Sequence, residues 1–578
     1  MSIARDQRWL VVPAILLFYF LALNSLVGDS PTMDEQNHIA RGLTFLRTGD
    51  PRLSVEHPPL VNSLSALPLL TMPEIRLPLD DPSWERQPLD VFWYVFAEKL
   101  IWQINRNLDI QKIFFLARLP VVYLTIGLAL VGWHFAREVW GTISALLVFL
   151  LLLFDPNILA NGRYVTTDLG GTLFAFLATY LLWRMWHAKQ WNWRRWLWAT
   201  LGIGAAFSSK LSTLVFIPIW VVLALLPVYR AGQRRYFLAA SRRLTQLLTA
   251  GMGAIFVVWA VFGFEWGSFH FLDQRLAMFD RWQGPIPTFW SGIERILLLS
   301  RGGRPGFLLG QFSNEGFPLY FAVALVTKTP MLTLVLFLLA VILLLVNRKT
   351  RANIVFLLVP VVLYYAVSML SALNLGYRHL LPLLPFVYMC IGGLVSRPVR
   401  SWTWRFFARN SEETSRVSIA PVVLVSLLII NLLLITVWIH PHYLSYFNVI
   451  AGGPVNGHRI LIDSNIDWGQ DLLRLEHWMA DHDVDRVNLG WFGTADPEYY
   501  GIEFEPMPGF PRQPFISQWT NPPFNPSAPE PGIYAISASS LWELPLAQKN
   551  VYPWFREREP DHLVGYSILI YEVPPTEE

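Results

Sequence analysis

The chain has 578 residues, of which 53% are hydrophobic and only 15% charged. Soluble globular chains carry about a quarter charged residues, so this deficit, with a mean hydropathy of +0.38, sets aside an ordinary soluble domain and points to a membrane protein. The net charge of +3 is close to balance, and no basic block makes the footprint that nucleic acid requires. The 26 Trp and 20 Tyr suit many helix ends at lipid headgroups. Cys390 is the one cysteine, so an external domain folds without an intrachain disulfide.

Arg5 and Arg8 precede the first apolar stretch, Trp9 to Val27. A cleavable signal has a shorter apolar region and a small-residue cleavage site. Val27-Gly28-Asp29 is a poor site, and the stretch approaches the roughly 20 residues that a span needs, so a retained first helix is expected. Further apolar runs fall near 114–133, 141–156, 169–186, 196–208, 212–228, 246–264, 331–346, 352–370, 380–396 and 418–438. Together they predict about eleven membrane helices, two of them short enough to be tilted, kinked or re-entrant.

With that count the basic connections share one side. They are Arg137; Lys189, Arg194 and Arg195; Arg230, Arg234, Arg235, Arg242 and Arg243; Arg348, Lys349 and Arg351; and Arg397, Arg400, Arg405 and Arg409. The positive-inside rule makes that side cytoplasmic. The N-terminus is then inside. Outside lie a long loop at 28–112, a turn from Asp155 to Asp168, a segment at 265–318 and a tail from 440 to 578. In the tail, Pro506, Pro508, Pro511, Pro514 and Pro522-Pro523 separate the strand-like runs 487–492, 532–537 and 566–571, and Asp471 to Asp481 reads as an amphipathic helix. The predicted fold is mainly α: a polytopic membrane helical bundle over 1–439 and an extracytoplasmic C-terminal α/β domain over 440–578.

Several external segments carry chemistry. Pro31-Thr-Met-Asp34-Glu35-Gln-Asn-His38 puts two carboxylates just outside the first helix. Either could serve as a general base, but Thr32-x-x-Glu35 is also a capping box, and Ile39, Leu43 and Leu46 start a helix there. Glu56-His57-Pro58-Pro59 holds a His in extended backbone, to meet a phosphate or acceptor or simply to lie at the surface. Asp168 either caps a helix or, with Arg163, marks a site, since charges at membrane depth are costly. Lys210, Lys328 and Arg378 recur on the same outer side. They are snorkelling anchors or the cations that would hold an anionic headgroup.

The ordered set resembles the GT-C superfamily of membrane glycosyltransferases, specifically the protein O-mannosyltransferase-like family 39, and is similar to the bacterial lipid A aminoarabinose transferases. The matching segments are Met33-Asp34-Glu35, Glu56 to Leu60, Ala117-Arg118-Leu119-Pro120, Asn161-Gly-Arg163 through Asp168, Lys328-Thr-Pro330 and Tyr377-Arg378-His-Leu-Leu-Pro382. The resemblance implies an inverting displacement in the cell envelope, at the bacterial inner membrane, with a polyprenyl-phosphate sugar as donor. The acceptor would be a protein, lipid or glycan. It implies Asp34 as catalytic base, Glu35 shaping the acceptor site and Asp168 as a second essential carboxylate. Lys328 and Arg378 would bind the carrier phosphate, with His57, Arg163, Lys210 and Tyr377 also on the donor side and Glu56 and His38 on the acceptor side. His57 stands where the aminoarabinose transferases have a lysine, although the mannosyltransferases also have His before the prolines. No cofactor is assigned; a hard cation on Asp34, Glu35 and Asp168 would suit magnesium or manganese. His440 to Asn448 and Asp463 to Asp471 resemble a domain found on bacterial members of this group, without an assigned chemistry.

A secondary transporter is the rival from another class, but it would place ionisable groups near the middle of broken helices. A scaffold presenting the tail explains the tail and not the ordered charges.

Overall fold

The computed structural model describes residues 8–85, 92–188, 190–226, 233–273, 275–280, 282–407, 417–508, 523–546 and 549–575. Arg5, Lys189, Arg230, Arg409, Pro511, Pro514 and Pro522 lie outside the described residues.

The protein is a multi-pass membrane protein with a mainly helical bundle. Among the described residues six helices are long and apolar enough to cross a membrane: Trp9–Val27, Ile110–Val139, Phe237–Val261, Arg351–Met369, Tyr377–Val395 and Ala420–Ile439. A seventh is counted if Tyr320–Lys328 and Met331–Val346, which meet at a bend of 107°, form one span. That is fewer than the eleven expected from apolar runs. The remaining runs do form helices, including Thr142–Phe154, Thr167–Trp186, Trp193–Ser209 and Phe216–Leu225. Thr142–Phe154, at 13 residues, is about 20 Å long at 1.5 Å per residue, short of the hydrocarbon core. The span Tyr377–Val395 is 83% buried and sits at the centre, whereas Phe237–Val261 is 22% buried and turns Phe237, Leu248, Met252 and Phe256 outward.

Outside the bundle, β1 (Trp266–Ser268) pairs with β2 (Gln283–Pro285), and β3 (Gly306–Leu308) with β4 (Gln311–Ser313). The tail holds β5 (Val487–Gly490), β6 (Phe504–Pro506), β7 (Gly532–Ser537), β8 (His562–Val564) and β9 (Ile568–Val573) in one sheet of order β6-β5-β7-β9-β8. β5 runs parallel to β6 and β7; β9 is antiparallel to β7 and β8. The three predicted strands are β5, β7 and β9. Short β6 and β8 form the edges, as edge strands often do. Helix Leu472–Asp481 covers one face with Leu472, Leu475 and Met479 buried.

The tail does not bury a core by itself. One hydrophobic cluster joins Leu472, Val487, Leu489 and Ile570 of the tail to Ile39, Leu43, Phe96 and Phe114 of the long loop 28–112 and the helix after it. Tail and loop 28–112 therefore pack as one unit over the end of the bundle.

Candidate functional site

Helix Glu35–Thr48 starts directly after the first span, with Asp34 at its N-cap. The Asp34 side chain makes no capping hydrogen bond; its Oδ2 accepts from Arg378 NH1 at 3.0 Å. The predicted capping box forms on one side only. The Thr32 N–H donates to Glu35 Oε2 at 2.9 Å, while the Thr32 hydroxyl has no partner. Helix Glu35–Thr48 crosses helix Pro59–Ala66 so closely that a Cβ on Gly42 would stand 2.0 Å from the Asn62 carbonyl oxygen. That crossing brings His57 and His38 together, ring centroids 4.7 Å apart.

Asp168 lies in the first turn of helix Thr167–Trp186. Its Oδ1 accepts from Lys210 Nζ, and its Oδ2 is 3.6 Å from Arg378 NH1. Asp34, Arg378, Asp168 and Lys210 thus alternate in sign across one wall, joining residues more than 340 positions apart in sequence. They line a cleft of about 360 Å³ together with Glu56, His57, Tyr94, Arg304 and His379. The cleft shares Leu214 and Ile293 with a neighbouring apolar groove of about 700 Å³ between helices Trp193–Ser209, Phe216–Leu225, Gln233–Val261 and Pro287–Gly302. Asp34 is 28% exposed and Lys210 16%, so both open to the cleft, while Asp168 at 3% is deeper.

Burial pushes the Asp34 carboxyl up, but the charges of Arg378 and His38 and the hydrogen bond from Arg378 outweigh it and hold it below the usual carboxylate range. Burial, reinforced by the charges of His38, Arg41 and Lys210, drives His57 well below the usual imidazole range. Burial likewise takes His38 to about 4. Both imidazoles are neutral at pH 7. His57 Nδ1 lies 3.0 Å from the Thr167 hydroxyl, and His38 Nδ1 lies 2.9 Å from Asn62 Oδ1. His57 therefore brings a neutral polar edge to the cleft rather than a positive charge for a phosphate.

Several residues expected in the site are placed elsewhere. Glu35 is fully buried and its oxygens are occupied: Arg118 donates through Nε at 2.8 Å and NH2 at 2.6 Å, and the Val165 and Thr32 N–H groups donate at 2.9 Å. Such a carboxylate braces the loop beside Asp34; it does not reach an acceptor. Arg163 pairs with Asp29 and lies over the Tyr164 ring at 4.5 Å, away from the cleft. Lys328 donates to the carbonyls of Leu444, at 2.8 Å, and Asn465, over the Phe447 ring, so it ties the tail to the bundle. Tyr377 bonds Thr329 through its hydroxyl at 2.9 Å and is buried. His38 sits behind His57. Glu56 does line the cleft, but Arg295 at 2.7 Å neutralises it. The three-carboxylate cation site does not assemble, because Arg118 takes Glu35 while Arg378 and Lys210 occupy Asp34 and Asp168. Among the described residues no group of three or more His, Cys, Asp or Glu could hold a metal ion.

Arg304, Tyr94 and Trp468 were not singled out from the sequence. Arg304 and Tyr94 both line the cleft, and the Arg378 guanidinium lies 4.3 Å over the Trp468 ring. Arg304 follows Gly302-Gly303, one basic residue among several in 265–318, and no periodicity distinguishes it.

Asp29, behind the site, has a measurable consequence. Burial raises its carboxyl, but the charges of Arg163, Arg474 and Arg118 win and bring it to about 2. A folded-state value below that of the unfolded chain, about 3.9, contributes stability above pH 4 that is lost as pH falls toward 2. The unfolding midpoint of the purified protein should drop over that window. Asp29→Asn should start lower and show a shallower drop.

Residues 96–260 match the family model described as dolichyl-phosphate-mannose-protein mannosyltransferase. The matched segment contains Arg118, Arg163, Asp168 and Lys210, and over that segment the match bears out the resemblance to the protein O-mannosyltransferase-like glycosyltransferases; Asp34, Glu56, Lys328 and Arg378 lie outside it. Similar solved structures are ArnT from Cupriavidus metallidurans bound to undecaprenyl phosphate, at 12% identity over 98% of each chain with a TM-score of 0.45, and the same protein in the apo state, at 11% over 98% of each and 0.43. The Archaeoglobus fulgidus oligosaccharyltransferase in the apo form is 12% identical over 75% of this chain and 56% of its own, with a TM-score of 0.41. No curated protein matches the chain.

Proposed function

We propose that this protein transfers a hexose or pentose from a polyprenyl-phosphate donor to a protein, lipid or glycan acceptor at the extracytoplasmic face of the bacterial inner membrane. The orientation follows the positive-inside reading, with the N-terminus cytoplasmic and the tail outside. The observation that carries the proposal is the joining of two unlike spaces. The cleft presents an exposed carboxylate among Arg378, Lys210 and Arg304, and it adjoins an apolar groove walled on one side by the membrane-spanning helix Phe237–Val261. A lipid-linked phosphate has the matching parts: an anion for the cations and a hydrocarbon chain for the groove.

Asp34 accepts the proton of the acceptor hydroxyl, whose oxygen attacks the anomeric carbon with inversion. The bond from that carbon to the phosphate oxygen breaks, and the phosphate takes the electron pair. Arg378 and Lys210 hold the charge that develops on it, aided by Arg304; fixed charges in a partly dry cleft suit such stabilisation. Asp168 aligns the two cations. Lys328 has no part in this step because its ammonium is taken up by the Leu444 and Asn465 carbonyls and the Phe447 ring of the tail.

The test is reconstitution with a panel of radiolabelled polyprenyl-phosphate sugars, read as release of carrier phosphate or transfer of label, with donor binding measured in parallel. Neither binding nor turnover across the panel overturns the reading. Lys210→Met should lower kcat/KM by about 10²-fold, the typical cost of one electrostatic donor to a developing anion. Since Asp34 must be ionised and its carboxyl is held low, kcat/KM should stay level through the ordinary carboxylate range and fall only at lower pH. An acid limb at or above that range would argue for another base.

A further inference from the structure

The segment Asp463 to Gln470 of the tail reaches into the site from above. It holds both chain segments that carry the Asp34–Arg378 pair. On one side the Met33 N–H donates to the Trp468 carbonyl and the Ser30 N–H to the Gln470 carbonyl, each at 2.9 Å, and the Ser30 hydroxyl donates to the Gly469 carbonyl at 2.8 Å. On the other, the Ser464 hydroxyl donates to the Leu375 carbonyl at 2.7 Å and the Tyr377 N–H to Asn465 Oδ1 at 2.9 Å. The approach is close enough that a Cβ on Gly376 would meet the Ser464 oxygen at 2.3 Å. Between these clamps the Trp468 ring, 1% exposed, lies under the Arg378 guanidinium.

Arg378 needs that support. Its contacts to Asp34 and Asp168 run through one nitrogen, NH1, and its Nε has no hydrogen-bond partner. Two carboxylates on one nitrogen fix its distance and leave the plane free to swing; an aromatic face beneath the plane removes that freedom. We propose that Trp468, from the C-terminal domain, is a positioning residue of the bundle's active site, holding Arg378 between Asp34 and Asp168. The tail then completes the catalytic centre rather than only meeting acceptors, and its removal would dismantle the site.

The rate part of this inference rests on the transferase reading; the stability part does not. Trp468→Leu should lower kcat by about ten- to thirty-fold, the rate equivalent of losing a desolvated cation–π contact, and Trp468→Phe should recover most of it. It should also move the acid limb of kcat/KM upward, because a loosened Arg378 pulls less on Asp34. The other groups facing Asp34, namely His38, Arg41, Tyr94, Asp168, Arg304, His379 and Asp463, are unchanged by the substitution. Phe555→Leu, which removes a fully buried tail core residue whose ring partners Phe524, Tyr534, Tyr552, Trp554 and Tyr571 all belong to the tail, controls for loosening of the domain and should leave the limb in place. Independently of turnover, unfolding midpoints of Trp468→Leu, Arg378→Met and the double variant should be non-additive by about 2 °C or more. Additive midpoints overturn the inference, as does an acid limb shifted equally by Phe555→Leu. Should the wild type turn over no donor, the transferase reading falls, and the thermal cycle still decides whether Trp468 holds Arg378.

Discussion

Asp34→Asn is expected to cut sugar transfer sharply and to leave donor binding and the fold in place. The side chain keeps its shape, Arg378 keeps Asp168 as a partner, and no helix cap is lost because the Asp34 side chain caps nothing. What disappears is the group proposed to take the acceptor proton. A positioned base contributes about 10²–10⁴-fold, so single-turnover transfer from the labelled donor should fall by that factor while equilibrium binding changes little. Transfer that survives the substitution would retain the enzyme and discard this base. Asp168→Asn should act differently. It leaves two cations, Arg378 and Lys210, with a weaker partner, and should disturb donor binding together with rate.

The largest stability effect is expected at Arg118→Met, in a pair buried away from the cleft. Arg118 is 1% exposed and Glu35 0%, and the Arg118 fork also donates to the Asp29 and Ser30 carbonyls at 3.1 and 3.0 Å. Removing the guanidinium strands a carboxylate in the interior, at a cost of about 3–5 kcal/mol. The variant should accumulate poorly and unfold well below wild type in detergent. Glu35→Gln in the Arg118→Met background should recover part of the loss, because a neutral amide still accepts from the Val165 N–H or the Thr32 N–H without leaving a buried charge. If Arg118→Met unfolded like wild type, the pair would be a passive feature and Glu35 would be free for another role.

The two residues share a short motif, Met33-Asp34-Glu35, and part company for a geometric reason. Successive side chains at a helix start point about 100° apart. Asp34 faces the cleft, so Glu35 must turn toward the helix Ile110–Val139 and meet Arg118. The motif placed two carboxylates together; only packing says which one sees solvent. The same holds for the cations. Lys210, Lys328 and Arg378 all stand at helix ends, and nothing in sequence separates them. In the fold, Lys328 finds carbonyls of the tail and is spent there, whereas Lys210 finds Asp168 across a space that stays open.

The sequence by itself determined the membrane class, the helical bundle and the strand-bearing tail. It also placed Asp34, Asp168, Lys210 and Arg378 among the candidates. Hydropathy and alternation are local properties, set by what each short stretch must bury. The tertiary structure alone decided which charges share a wall, that the long loop and the tail build one core, and that Trp468 of the tail lies under Arg378 of the bundle. Those facts depend on pairs of residues tens to hundreds of positions apart, whose meeting follows from how whole helices and sheets pack.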